Sequence, residues 1–259
     1  MISNQHTFPG LLLLVLLSCL GTASKGYGAE LDTEALRLAI SGPDRDVSDY
    51  VRDATRKPVE VLAWLGIGEG MEVLDLYAAG GYYTFILAKA IGPEGRVYAQ
   101  NTPRGLSYEE DRQEISQGEA LALKLERGNL NNVTQLIYRL NDLPLAENSL
   151  DAVIVAQVLH DYYNPNPGRA LSMLQRLYSL LKPGGVVGIT DHVGIAGQNN
   201  RQLHRMQVEQ AVEIAEAAGF HVETSELLRN PDDNHHRNIF DPMLARNTDR
   251  FLLKLTKPE

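Results

Sequence analysis

Residues 73–84 read VLDLYAAGGYYT, and this stretch decides the fold. An apolar run closes on Asp75 and Leu76, small residues follow, and a helical pattern begins near Tyr83. A buried strand that turns through glycine into a helix is the opening unit of a βαβ fold. In open α/β sheets the ligand sits outside the carboxyl ends of the strands, which places the 77–82 turn beside a binding crevice. Glycine in such a turn removes Cβ atoms and lets the backbone approach a ligand, the service offered here by Gly80 and Gly81.

Working outward, MEVLDLY predicts a buried strand, YYTFILAKAIG a helix and GRVYAQN a second strand. Residues 109–127 read as a helix, TQLIYRL as a third strand and SLDAVIVAQVL as a fourth. RALSMLQRLYSLL is a helix, VVGITDH a fifth strand, residues 207–218 a helix, and AGFHVETSE and RFLLKL complete the sheet. The expected class is α/β, a Rossmann-like doubly wound sheet of about seven strands. Upstream, LDTEALRLAI is a short amphipathic helix broken by Ser41-Gly42-Pro43-Asp44, and a further helix starts near Pro58. The chain therefore divides into an N-terminal signal (1–29), a helical cap (30–66) and one α/β domain (67–259).

The signal is read from the unbroken apolar run Leu11–Leu17, too short to span a bilayer but long enough for a secretory signal core. Cys19, the only cysteine, follows Leu-Leu-Ser in a pattern similar to a bacterial lipoprotein box. The expectation is an exported chain, periplasmic or anchored to the membrane through lipid on Cys19, and a cytoplasmic one if no cleavage occurs. Lys plus Arg number 24 against 33 Asp plus Glu, a net charge of -9. An acidic surface with no basic run longer than Arg56-Lys57 argues against a nucleic-acid partner.

The turn lacks the G-x-G-x-x-G of dinucleotide enzymes, which disfavours nicotinamide and flavin. VLDLYAAGGYYTFILA followed by GPEGRVYAQN resembles motif I and the second strand of class I S-adenosylmethionine-dependent methyltransferases. NDLPLAENSLDAVIVAQVLHD and LLKPGGVVGITDH are similar to their fourth and fifth strands, and the chain end to their antiparallel last strand. SGPDR, LHDYYN, TDHVGIAG and LHRMQ resemble a group of predicted bacterial methyltransferases, often exported, of unnamed substrate. The resemblance implies S-adenosylmethionine as cofactor, held by Asp75, Tyr77, Ala79, Gly80, Gly81 and Tyr83. Tyr77 and Ala79 stand where the family motif has glycine. Asn101 stands where an acid normally accepts from the ribose hydroxyls, so weaker cofactor binding is expected. Asp142 either faces adenine or only begins the Asp-Leu-Pro turn.

Methyl transfer requires alignment of donor and acceptor, and a base when the acceptor is a hydroxyl. His160 after the fourth strand, with Asp191 and His192 at the end of the fifth, are the candidate catalytic residues. Together with His204 they would suit a divalent cation, but no compact ligand spacing such as H-x-x-x-H occurs, and no metal is assigned. Tyr82, Tyr83, Tyr162 and Tyr163 bracket the same crevice. His235-His236 reads as a solvated loop, and the Arg229, Asp241, Arg246 and Arg250 series as salt bridges fixing the C-terminal segment. The expected function is methylation of a small-molecule acceptor; the alternative is a binding protein of the envelope that kept the fold and lost the reaction.

Overall fold

The computed structural model describes Met1, residues 30–110 and residues 114–259. The Leu11–Leu17 run and Cys19 lie outside the described residues, and with them the signal and lipid-anchor readings. Among the described residues no helix is long and apolar enough to cross a membrane.

Three helices precede the sheet: α1 (Thr33–Ile40), α2 (Val47–Arg56) and α3 (Pro58–Leu65). Then follow β1 (Glu72–Leu76), α4 (Tyr82–Ile91), β2 (Arg96–Asn101), the short α5 (Pro103–Leu106), α6 (Gln117–Arg127) and β3 (Val133–Ile137). The second half comprises β4 (Leu150–Ala156), α7 (Leu159–Tyr163), α8 (Pro167–Leu180), β5 (Leu181–His192), α9 (Asn200–Leu203), α10 (Val208–Ala217), β6 (His221–Ser225) and β7 (Arg250–Thr256). The strands form one sheet in the order β3-β2-β1-β4-β5-β7-β6. Pairing is parallel from β3 through β5, and β7 runs antiparallel to both β5 and β6. This is the doubly wound sheet with an antiparallel last strand read from the sequence.

Strand alternation divides the core in two. Leu74, Leu76, Val153, Val155, Val187 and Ile189 bury one face against α8 and α10. Val73, Ala152, Ile154 and Leu252 bury the other against α1, α3 and α4. The central strands are covered on both sides, which is why they read as continuous apolar runs.

Two elements differ from the reading. The polar segment VSDYVRDATR is helix α2, started by Asp46, whose carboxylate accepts from the Ser48 N–H. The helix expected over 109–127 begins only at Gln117, where Ser116 and Glu119 form a capping box that fixes its first turn.

Candidate active site

The sheet order reverses between β1 and β4, and the carboxyl ends of β1, β2 and β4 open into a cavity of about 410 Å³. Asp75, the 77–80 turn, Tyr83, Asn101 and Gln157 line it, together with Arg52 and Arg56 from α2. The turn keeps the backbone of a glycine turn without all of its glycines: φ is 54° at Tyr77, 51° at Ala79 and 85° at Gly81. A side chain in that region costs about 1–2 kcal/mol, and the neighbours hold it there. The Tyr77 N–H donates to Oε1 of Gln100 (3.0 Å), and the Ala79 N–H to Oδ1 of Asn101 (3.0 Å). Nδ2 of Asn101 donates back to the Ala79 carbonyl, and Nζ of Lys124 donates to the Gly80 carbonyl (2.8 Å). Replacing Ala79 with glycine is therefore expected to raise stability by about 0.5–1 kcal/mol in urea unfolding; a loss would mean that the methyl group packs usefully.

Asn101 lines the cavity and also clamps the turn, its amide bonded at both ends to Ala79, which leaves the oxygen a second lone pair toward the cavity's ligand. Asp142 is exposed in a 3-10 turn over Leu140–Asp142 and is not among the residues that line this cavity.

Asp75 lies on the cavity wall, buried, and accepts from the Thr84 hydroxyl (2.6 Å). Burial drives its pKa up to about 7, against the hydrogen bonds from Thr84 and the positive charge of Arg56. The cap supplies that charge. Arg52 donates to Glu110 (2.6 Å), and the Arg56 guanidinium stacks 4.4 Å from the centre of the Tyr82 ring. The sequence reading did not single out Arg52 or Arg56; their i, i+4 spacing within VSDYVRDATR was the available signal. Tyr82 and Tyr83 meet edge to face at 5.0 Å, and the Tyr82 hydroxyl donates to Asp53. Tyr77 and Tyr162 bond through their hydroxyls and form a partition between this cavity and an open recess of about 1010 Å³ beside Thr102, Leu140 and Arg169.

The His/Asp pairs separate. His160 is buried, its Nδ1–H donates to Oδ1 of Asp191 (2.8 Å), and its backbone N–H donates to Oδ2 (2.9 Å). It lines a second cavity of about 390 Å³, with Asp161 on the boundary of both. Burial lowers the His160 pKa, but Asp191 and Asp161 outweigh it and hold the imidazole above its ordinary value. Asp191 also accepts from the His192 N–H, so it positions His160 and is itself screened from any ligand.

His192 is not a base in this crevice. It is buried, bonded through Nδ1 to the Thr248 hydroxyl (2.7 Å), and absent from the lining of either cavity. Burial, reinforced by Arg250 and His160, pushes its pKa well below the usual histidine value and keeps it neutral. Its ring stands edge-on to that of His160, 6.2 Å away between centres, so it adjoins His160 without lining the cavity.

Of the two C-terminal histidines, His236 is exposed as expected and His235 is half-buried. Asp233 is buried in a two-pronged pair with Arg205, and Nε2 of His235 bonds Asp249, which also holds Arg229. Arg237 pairs with Asp241, and Arg250 donates to the Thr55 and Arg246 carbonyls, tying β7 to the cap.

Comparison with known proteins agrees with this architecture. The profile of a family described as "Methyltransferase domain" matches residues 67–247. The demethylmenaquinone methyltransferase of Geobacillus stearothermophilus is 27% identical over 127 residues, 49% of this chain and 47% of the relative. The chain thus spans about half the length of this curated relative. A solved S-adenosylmethionine-dependent methyltransferase from Aquifex aeolicus superimposes with a TM-score of 0.58 at 23% identity, over 87% of this chain and 98% of its own. Phosphoethanolamine N-methyltransferase 2 of Haemonchus contortus, solved with S-adenosylmethionine, gives 0.54 at 16% identity, over 86% of this chain and 60% of its own. A cavity of this size at the sheet reversal, with a buried acid on its wall and two arginines at the cap, fits a nucleoside that carries an amino-acid tail. The chain belongs to the methyltransferase-domain family.

Proposed function

We propose that the protein transfers a methyl group from S-adenosylmethionine to a hydroxyl of a small polar acceptor. The observation that carries this reading is Asp161, which lies on the wall of both cavities and makes the His160 cavity a neighbour of the cofactor cavity. Bound there, S-adenosylmethionine supplies an electrophilic methyl group on a sulfonium. Arg52 and Arg56 would hold its carboxylate, and Asp75 would face its cationic part. Parting of the Tyr77–Tyr162 pair would join the cofactor cavity to the larger recess and lengthen the groove for the base.

In the tautomer that Asp191 imposes, His160 carries its hydrogen on Nδ1 and offers the Nε2 lone pair. That lone pair would take the acceptor proton as its oxygen attacks. The curated relative is named for demethylmenaquinone, a small molecule. Here Asn164, Asn199 and Gln202 line the second cavity and favour a polar acceptor.

Calorimetric titration tests the first half. S-adenosylmethionine and S-adenosylhomocysteine should both bind saturably, and Arg56→Ala should weaken each by about ten-fold or more. No binding at millimolar cofactor would leave a fold that has lost the reaction. Once an acceptor is found, His160→Ala should cut turnover by roughly 10²–10⁴ with cofactor affinity unchanged.

A further inference from the structure

Three side chains with metal-ligating atoms converge on the second cavity. Oδ1 of Asp161 lies 3.3 Å from Nε2 of His160 and 3.8 Å from Nδ1 of His204. One ligand atom from each of the three residues lies within 4.8 Å of the other two. We propose that His160, Asp161 and His204 form a binding site for a divalent transition-metal ion, zinc foremost, with a coordination position open to the cavity.

The hydrogen bonding favours a cation. Because Asp191 takes the Nδ1–H of His160, the lone pair of Nε2 faces the carboxylate of Asp161. Two electron-pair donors at that distance need a positive charge between them, either a proton or a metal. The Asp191–His160 bond is also the outer support that fixes tautomer and ring direction in histidine metal sites. Distances are compatible as well. Ligand atoms about 2.0–2.2 Å from a tetrahedral zinc stand roughly 3.3–3.5 Å apart, and the His160–Asp161 pair already has that separation. His204 must come closer by a small turn of its ring, and its side chain is 38% exposed.

His204 reaches the site from a left-handed backbone position after α9 (φ 54°), its ring edge-on to His160 at 5.6 Å and to Phe240 at 5.0 Å. Two imidazoles and one carboxylate suit zinc and similar ions and are poor company for magnesium or calcium, which prefer all-oxygen shells. Arg201 is the one positively charged residue in the lining of this cavity, and it is exposed; two carboxylates, Asp161 and Asp191, bear on the ligands. The set differs from the four residues grouped from the sequence: Asp191 stands behind His160, His192 lines neither cavity, and Asp161 takes their place. The proposal goes beyond the methyl-transfer reading and does not depend on it. A bound metal would occupy Nε2 and replace the proton-accepting role of His160 by lowering the pKa of a nearby hydroxyl.

The test uses the full chain, stripped of metal by chelator and titrated with zinc chloride alone. The expected result is one equivalent bound with micromolar or tighter affinity near neutral pH, with proton release and a raised Tm; magnesium should do neither. His204→Ala, at a half-buried side chain, and Asp161→Asn, at an exposed one, should each weaken zinc about ten-fold or more while leaving the Tm of the metal-free protein in place. Cobalt loading gives a second readout, visible bands of a nitrogen–oxygen site that His204→Ala removes. Absence of zinc binding at about 100 µM, or stoichiometric binding that survives both variants, would overturn the proposal. Since no cofactor is present in this titration, its failure and the failure of the S-adenosylmethionine titration are separate results.

Discussion

Alanine at Gly80 or valine at Gly81 is expected to abolish saturable S-adenosylhomocysteine binding and to lower stability by about 1–3 kcal/mol. Gly81 has a φ of 85° at the first turn of α4, and a Cβ there would stand 2.7 Å from Cδ1 of Leu121. A β-branched residue suffers twice, from the left-handed backbone and from the clash. At Gly80 the backbone is less demanding, but an added Cβ falls on the carboxylate of Glu110. Glu110 is buried and accepts from Arg52 (2.6 Å), so it yields only by releasing that arginine from the cavity rim. One methyl group thus reaches the cap through Glu110. Calorimetry for binding and urea unfolding for stability separate the two effects. Parent affinity in Gly81→Val would detach the turn from the cofactor.

The sheet was legible because its central strands are buried on both faces and spell unbroken apolar runs, as in VLDL and LDAVIVA. The turn was legible for a similar reason, since small residues after a strand have few other uses. Helix α2 was missed although Val47, Tyr50, Val51 and Ala54 stand at helical spacing; Val47 and Val51 are exposed, and its buried member is Asp49, flanked by the charges of Lys124 (3.4 Å) and Arg52 (3.7 Å). The period was there to read, but this helix turns a charged face inward and leaves its valines exposed. Arg52 and Arg56, which line the cavity, were lost with it.

The histidines show a different limit. Position at a strand end was enough to bring His160 to a cavity, where Asp191 anchors it. It was not enough for His192, whose ring lies beside that of His160 but is buried against Thr248 and reaches neither cavity. Asn101 was correctly placed at the end of β2, yet its partner could not be known. Two non-glycine residues in a left-handed turn need clamps, and Gln100 and Asn101 supply them. A residue that replaces a cofactor contact can thus become a necessity of the turn beside it.

Asp75→Asn should stabilise the cofactor-free protein by about 2–4 kcal/mol above neutral pH while weakening S-adenosylmethionine roughly 10–100-fold. The carboxyl of Asp75 titrates at about 7 in the folded chain because burial opposes its charge, against about 3.9 when unfolded. Between those values the folded state keeps a proton that the unfolded state has given up, so stability falls as pH rises from about 4 to 7 and then levels. Asparagine can still accept from Thr84 and carries no charge to bury. Its advantage should therefore be largest above pH 7 and fade as pH falls toward 4. A cationic ligand in this cavity reverses the balance, because it favours the ionised acid. Cofactor affinity should then tighten as pH rises through 7 in the parent chain and stay flat in Asp75→Asn. Urea unfolding and calorimetry at a series of pH values measure both trends. An unchanged pH dependence of binding in the variant would show that Asp75 does not face the charge of the cofactor, and the proton would have to be traced to His160.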